Sequence, residues 1–316
     1  MRNTFIRTLI ELAERDERIL LLTSDLGYMA LETFAERFPQ RFFNVGIAEQ
    51  NMIGLATGLA EAGFIPFAYS IAPFAVLRPY EFIRNGPIAH HLPVRIVGMG
   101  GGLEYGYDGI SHYGHDDIGV LRVQAGITIL TPADYEQARS ALLSTCHFPG
   151  PIYYRLSKDD HSIIPELNGR FELGRTECIT QGKDLLIIAM GSIAGEAYQA
   201  VKELKQQGIG ASLLVAASIN PPPLDDLRKK LTGHRLAVTV EAHHITGGLG
   251  SMVAEIIAES GSPCKLVRCG IEEPLDGVVG SQRYLYDKYG LSGKMIAAKA
   301  LAALQQIGSS KGSTYE

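Results

Sequence analysis

Short runs of Val, Ile and Leu alternate along this chain with longer stretches whose apolar residues recur every three or four positions. Continuous apolar runs of about four to eight residues fit strands buried on both faces, and the longer period fits helices that cover them. The pattern therefore predicts a mainly parallel α/β sheet. In the first half it predicts strands over Ile19–Leu22, Phe42–Val45, Ile65–Tyr69, Val94–Gly98, Thr128–Leu130 and Ile152–Arg155. Helices are expected over Thr4–Glu14, Ala48–Ala62, Phe74–His90 and Ala133–Thr145. The last carries a start signal, with Thr131 as N-cap, Pro132 at the first helical position and Asp134 in the first turn.

The alternation breaks at Lys158–Arg170, a polar stretch with Pro165 and Gly169 that reads as a linker exposed at little cost. A second series then predicts strands at Leu185–Met190, Ala211–Ala216, Leu236–Val240 and Lys265–Arg268. Its helices are expected at Ala194–Gln207, Leu224–Leu231, Gly250–Ser260 and Gly293–Ile307, the last capped by Ser292. Two α/β domains in series, residues 1–165 and 174–316, are the expectation, with a frayed Gly/Ser-rich tail from Gly308. No internal repeat is visible. That plan alone is compatible with many functions.

Composition narrows the field. The 316 residues are 46% hydrophobic and 20% charged with a formal net charge of -5, which gives no electrostatic case for nucleic acid. No apolar run reaches bilayer length, and the N-terminal segment carries Glu11 and Glu14 where a signal peptide would be purely apolar. Cys146, Cys178, Cys264 and Cys269 lack paired spacing, so reduced, mostly buried thiols are expected rather than a zinc site or disulfides. These features suit a cytoplasmic protein.

Three segments could carry chemistry. In Asn44–Asn51 a strand ends and a helix begins, which puts Glu49 in the first helical turn at the sheet edge where open α/β sheets bind ligands. On the residues alone, the plainer reading of Glu49 is a carboxylate that complements the helix dipole. Gly98–Gly114 holds seven glycines, with Asp108 and His112 near its end. Such a loop suits an active site, and His112 reads either as catalytic or as an ordinary satisfied histidine. It is no P-loop, because Gly-x4-Gly-Lys-Ser/Thr is absent. Arg155, at the end of an apolar strand, reads as an anion ligand or as an anchor for a carboxylate. His243 and His244 are neighbours on a strand end and point in opposite directions, so a shared metal is not expected.

Taken together, these segments resemble the transketolase family. The string Val45–Gly63 resembles the pyrimidine-binding domain of transketolases and deoxyxylulose-phosphate synthases. So do Asp108-Gly109-Ile110-Ser111-His112, Leu130-Thr131-Pro132-Ala133-Asp134 and the strand ending in Arg155. Val240–Gly250 is similar to the C-terminal domain of the same family, so the resemblance covers nearly the whole chain in the family's order. The fold it implies is a thiamine-diphosphate-binding module, a mainly parallel sheet with helices on both faces, followed by a transketolase C-terminal α/β domain.

The resemblance also implies roles. Glu49 matches the glutamate that hydrogen-bonds the aminopyrimidine of thiamine diphosphate and so activates it. The bound cofactor acts as electron sink when a ketol unit is cleaved and passed to an aldehyde. Ile71, Phe74 and Arg78 fall in the stretch beside the aminopyrimidine, and Asp25 matches a cofactor-proximal aspartate. His112 matches a histidine that handles substrate hydroxyl protons, and Asp108 a substrate-hydroxyl contact. Arg155 and Arg2 match substrate-phosphate ligands. The family's Gly-Asp-Gly…Asn site for diphosphate and Mg2+ or Ca2+ is missing, since Asp108 is preceded by Tyr107. No metal ligand is therefore expected here. The implied partner is an N-terminal transketolase subunit carrying that motif, in an α2β2 assembly with the active site between chains.

Three departures bear on the substrate: Ile71 stands for the usual Phe, Gly100 for a phosphate-binding histidine, and Met29 for a serine. They suggest a substrate that is not an ordinary pentose phosphate: an unphosphorylated or nucleotide-linked sugar, or a keto acid. Two alternatives share the domain plan. One is the β subunit of a 2-oxo-acid dehydrogenase, which Ala48-Glu49-Gln50 and Asp-Gly-x-Ser-His fit less well. The other is a non-catalytic regulatory paralogue, against which Glu49 and His112 both argue.

Overall fold

Every strand expected from the apolar runs is present in the computed structural model, which describes residues 1–309. The first half contributes β1 (Ile19–Thr23), β2 (Phe42–Asn44), β3 (Ile65–Ile71), β4 (Arg95–Met99), β5 (Thr128–Leu130) and β6 (Ile152–Leu156). The second contributes β7 (Glu177–Thr180), β8 (Leu185–Met190), β9 (Ala211–Val215), β10 (Ser218–Asn220), β11 (Leu236–His244) and β12 (Lys265–Ile271). A seven-stranded sheet runs β10-β5-β6-β4-β3-β1-β2 and a five-stranded sheet β12-β11-β8-β9-β7. All pairings are parallel except β10 with β5 and β7 with β9. Because β1 to β6 are parallel, their following loops gather at one carboxyl edge.

Helices cover both sheets: α1 (Arg2–Arg15), α2 (Glu32–Arg37), α3 (Glu49–Glu61), α4 (Ala72–Val76), α5 (Tyr80–Ile83), α6 (Asp117–Arg122) and α7 (Tyr135–Thr145) in the first half. The second half adds α8 (Ala194–Gln206), α9 (Leu224–Thr232), α10 (Leu249–Ser260), α11 (Gln282–Lys288) and α12 (Gly293–Ser309). Of the tail expected to fray from Gly308, Gly308 and Ser309 end α12, and residues 310–316 lie outside the described residues. The long helix expected over Phe74–His90 is broken instead into α4, α5 and a π turn over Arg84–Ile88. Pro79 is the N-cap of α5 and Pro87 sits in the π turn, each lacking the N–H that an uninterrupted ladder needs. The start of α7 also differs: the N-cap is Asp134, whose side chain accepts from Gln137 N–H at 2.8 Å. Thr131 is drawn away, donating its backbone N–H to Ala217 O at 2.7 Å in the second half.

The linker around Lys158–Arg170 forms no regular element but is not loosely exposed, since Ile164 and Leu167 are buried in the core under β8 and β9. The two halves also meet directly. β10, from the second half, pairs with β5 of the first sheet, and Leu103 and Tyr113 of the Gly-rich loop join the second core. All four cysteines are free, and Cys146, Cys264 and Cys269 are buried. Among the described residues, no helix is long and apolar enough to cross a membrane.

His243 sits fully buried at this junction. Its Nδ1 donates to His244 O at 2.6 Å and its Nε2 accepts from Gly119 N–H at 3.1 Å. Only the neutral ring with its proton on Nδ1 can do both, because a proton on Nε2 would face the Gly119 N–H. Burial pushes its pKa down from 6.5 to about 4. The folded chain thus refuses a proton that the unfolded chain accepts, so this stability is complete above pH 6.5 and lost as pH falls toward 4. Glu241, 3.8 Å away, is pushed by burial from 4.5 to about 7 and has the opposite slope over that window. His243→Gln should remove only the first slope. Its melting temperature relative to the parent should therefore climb as pH drops from 6.5 to 4.5. A difference that does not change with pH would refute this assignment.

Candidate active site

At the carboxyl edge of β1, β2, β3 and β4, side chains from four consecutive loops converge. Glu49 is the first residue of α3 and is only 2% exposed, which goes against its being a solvated charge at a helix start. Its Oε1 accepts from Ser24 Oγ at 3.1 Å and from Arg78 Nη1 at 2.8 Å. Ser24 Oγ also lies 3.1 Å from Ser70 Oγ. Since the Ser24 proton goes to Glu49, Ser70 is the donor in that second contact. A two-hydroxyl relay thus fixes the carboxyl group from the strand side. Both serines escaped notice in the sequence, although each lies beside a residue already singled out, Asp25 and Ile71.

Beyond Glu49, the Arg78 guanidinium lies over the Phe74 ring with Cζ 3.7 Å from the centroid. Phe74 meets the His112 ring at 5.0 Å between centroids, edge to face. Ser111 Oγ and His112 Nδ1 share a hydrogen bond of 2.9 Å, which fixes the ring's direction. The structure therefore brings Glu49, Arg78, Phe74 and His112 into one continuous line, from a buried carboxylate to a half-exposed imidazole.

The other expected residues stand around this line or away from it. Asp25 is exposed at φ 57°, and its side chain accepts from Asn44 Nδ2 at 3.0 Å while its N–H donates to Asn44 Oδ1. Asn44 also receives Gly46 N–H at 3.0 Å, so this clasp ties the β1 loop to the turn that leads into Glu49. Ile71 is buried and precedes α4 as its N-cap, beneath Phe74 in sequence order. Asp108 is exposed, in a turn closed by its N–H to Tyr105 O at 2.8 Å. Arg2 is half-buried at the start of α1, and its Nε is a buried donor without a hydrogen-bond partner among the described residues. Gly100 leaves no opening, because a Cβ there would run into the ring of Tyr105. That ring lies 6.0 Å from His112 and carries Lys158 Nζ at 3.9 Å above it. Burial pushes the Tyr105 hydroxyl up to about 12, so it stays a neutral hydrogen-bonding group.

Arg155 does not belong to this line. It is 6% exposed, its Nε donates to Asp117 Oδ2 at 2.9 Å and its Nη2 to Ala242 O at 2.9 Å, with Gly114 O also accepting. Tyr153 donates to the same Asp117 oxygen at 2.6 Å. Arg155, expected as a phosphate ligand, is thus engaged through Nε and Nη2 as a brace between β6, α6 and β11. Nothing near it in sequence signals this, since Asp117 lies 38 positions earlier.

A buried carboxylate beside an aromatic face suits a flat, protonatable heteroaromatic ring, and the half-exposed imidazole suits the reacting end of a bound molecule. Among the described residues, no cluster of three or more His, Cys, Asp or Glu side chains is placed to hold a metal ion.

Comparison with known proteins supplies the family. Residues 1–162 match the transketolase pyrimidine-binding domain and residues 174–296 the transketolase C-terminal domain. The chain is 39% identical over 309 residues to a putative transketolase C-terminal section of Methanocaldococcus jannaschii, spanning 97% of this chain and 96% of that protein. It is 34% identical over 301 residues to a 6-deoxy-6-sulfo-D-fructose transketolase subunit, SqwH, of a Clostridium species, spanning 95% and 93%. A solved split-gene transketolase, described as an inactive β4 tetramer, superposes with a TM-score of 0.86 at 34% identity, covering 96% of this chain and 97% of that one. With both domains matched and these relatives aligned along almost their whole length, the chain belongs to the transketolase family, in the form taken by its split, C-terminal subunits.

Proposed function

We propose that this chain is the cofactor-activating subunit of a thiamine-diphosphate-dependent transketolase-type enzyme, transferring a two-carbon ketol or related acyl unit to an aldehyde. The observation that carries the proposal is Glu49: a buried carboxylate at the carboxyl edge, next to a ring face and in line with His112. Glu49 and the face of Phe74 would hold the aminopyrimidine ring, with Ile71 and Asp25 behind and beside it. The bound cofactor supplies the electron sink for C–C cleavage. His112 would move protons at substrate hydroxyls, Asp108 would accept from one of them, and the unpartnered Arg2 Nε would face an anionic or hydroxyl-rich end.

The rest of the centre belongs to another chain. The diphosphate and its Mg2+ or Ca2+ are assigned to an N-terminal transketolase subunit with Gly-Asp-Gly…Asn, in an α2β2 assembly. The related split-gene chain forms an inactive β4 tetramer, which suits a subunit that is incomplete alone. We take residues 1–165 and 174–316 as its two domains and, from its free thiols, the cytoplasm as its compartment. The SqwH relative acts on a sulfo-sugar, in keeping with a substrate other than an ordinary pentose phosphate.

The test is reconstitution with an N-terminal transketolase chain. Neither chain alone should bind thiamine diphosphate tightly or transfer ketol units, and the mixture should do both. Full activity of this chain by itself, or no association with any such partner, would overturn the proposal. Fast transfer from xylulose 5-phosphate to ribose 5-phosphate by the pair would remove the substrate part alone.

A further inference from the structure

The Glu49 carboxylate and the Phe74 face are both engaged, and by one and the same group. Arg78 Nη1 donates to Glu49 Oε1 at 2.8 Å, and the guanidinium covers the Phe74 ring at 3.7 Å. The Glu49 side chain is 3% exposed while that of Arg78 is 42% exposed, so a partly solvated cation caps a buried carboxylate. We infer that Arg78 is a place-holder: in the free chain its guanidinium fills the slot between Glu49 and Phe74, and it must swing out before a cofactor ring can enter. The inference rests on the functional reading above, in which that slot receives the aminopyrimidine.

The chemistry of the two occupants explains the exchange. A guanidinium is flat and cationic, presents N–H groups in its plane to a carboxylate and stacks on aromatic rings. A protonated aminopyrimidine has the same three properties. A buried carboxylate left with a single hydroxyl donor and no cation is disfavoured, so the free chain needs something in this place. Trading one planar cation for another keeps the charge of the slot constant. Arg78 also has freedom to leave, because it lies in the Leu77–Pro79 turn between α4 and α5 and its departure breaks no helical ladder. A place-holder of this kind weakens apparent cofactor affinity by the fraction of chains in which the slot is open.

Two measurements test it together. On the chain alone, Arg78→Met, Glu49→Gln and the double variant are compared in thermal melts. Arg78→Met should lower the melting temperature by a few degrees, and far less on the Glu49→Gln background, where no buried charge is left unpaired. Additive effects would overturn the pairing. On the chain assembled with its partner, Arg78→Met should tighten half-saturation by thiamine diphosphate, roughly three- to thirtyfold. Weakening, or no change, would mean that Arg78 is a cofactor ligand or a bystander, and would end this inference while leaving the functional reading intact. Absence of cofactor binding by every assembled form, parent included, would end both.

Discussion

Substitution Glu49→Gln is expected to lower turnover of the assembled enzyme by about two to four orders of magnitude, the range of a positioned acid–base group. Glutamine keeps the length and shape of glutamate, still accepts from Ser24 Oγ and still fits beneath Arg78. It loses the charge and the capacity to exchange a proton. Folding should therefore survive while activation of the cofactor does not. The measurement independent of substrate identity is the rate at which the bound cofactor exchanges its thiazolium proton for solvent deuterium. That rate should fall together with turnover, at unchanged secondary structure. Unchanged exchange and turnover would remove Glu49 from the chemistry.

Arg155→Met is expected to act on folding instead. The Arg155–Asp117 pair is buried at 6% and 0% exposure, and Asp117 Oδ1 already lacks a partner among the described residues. Removing one member of such a pair costs about 3–5 kcal/mol, because the other is left as an uncompensated charge. The carbonyls of Gly114 and Ala242 would lose their donor as well, at the point where the Gly-rich loop meets β11. The readout is the denaturation midpoint, which should drop sharply, or the soluble yield should collapse. A variant of normal stability with only a raised KM would restore Arg155 as a substrate ligand and refute the structural role.

The contrast between these two residues shows what the sequence discloses. Parallel strands such as β3 and β8 are buried on both faces, so they appear as unbroken apolar runs and are easily located. The parallel order then fixes which loops share an edge, but on the residues alone Glu49 reads as a helix-dipole charge and His112 stays open, and their roles, with that of Phe74, come from the family resemblance. β10 and β7 went unseen because they are short and antiparallel, and their existence depends on a neighbouring edge rather than on their own pattern. Arg155 stays open between anion ligand and carboxylate anchor for a related reason: a strand-end arginine looks the same whether it faces solvent or a carboxylate brought in by a distant loop. Pro79 and Pro87 lie within the stretch expected as one helix, Phe74–His90, where each interrupts the ladder.

The edge contributed by β10 has a consequence for how this protein could evolve. Three residues of the later half, Ser218–Asn220, complete the sheet of the earlier half, and Leu103 and Tyr113 return the exchange. Recombination at the polar stretch between the halves would bare an unpaired strand margin on one side and an apolar gap on the other. The two units are thus bound to be inherited together.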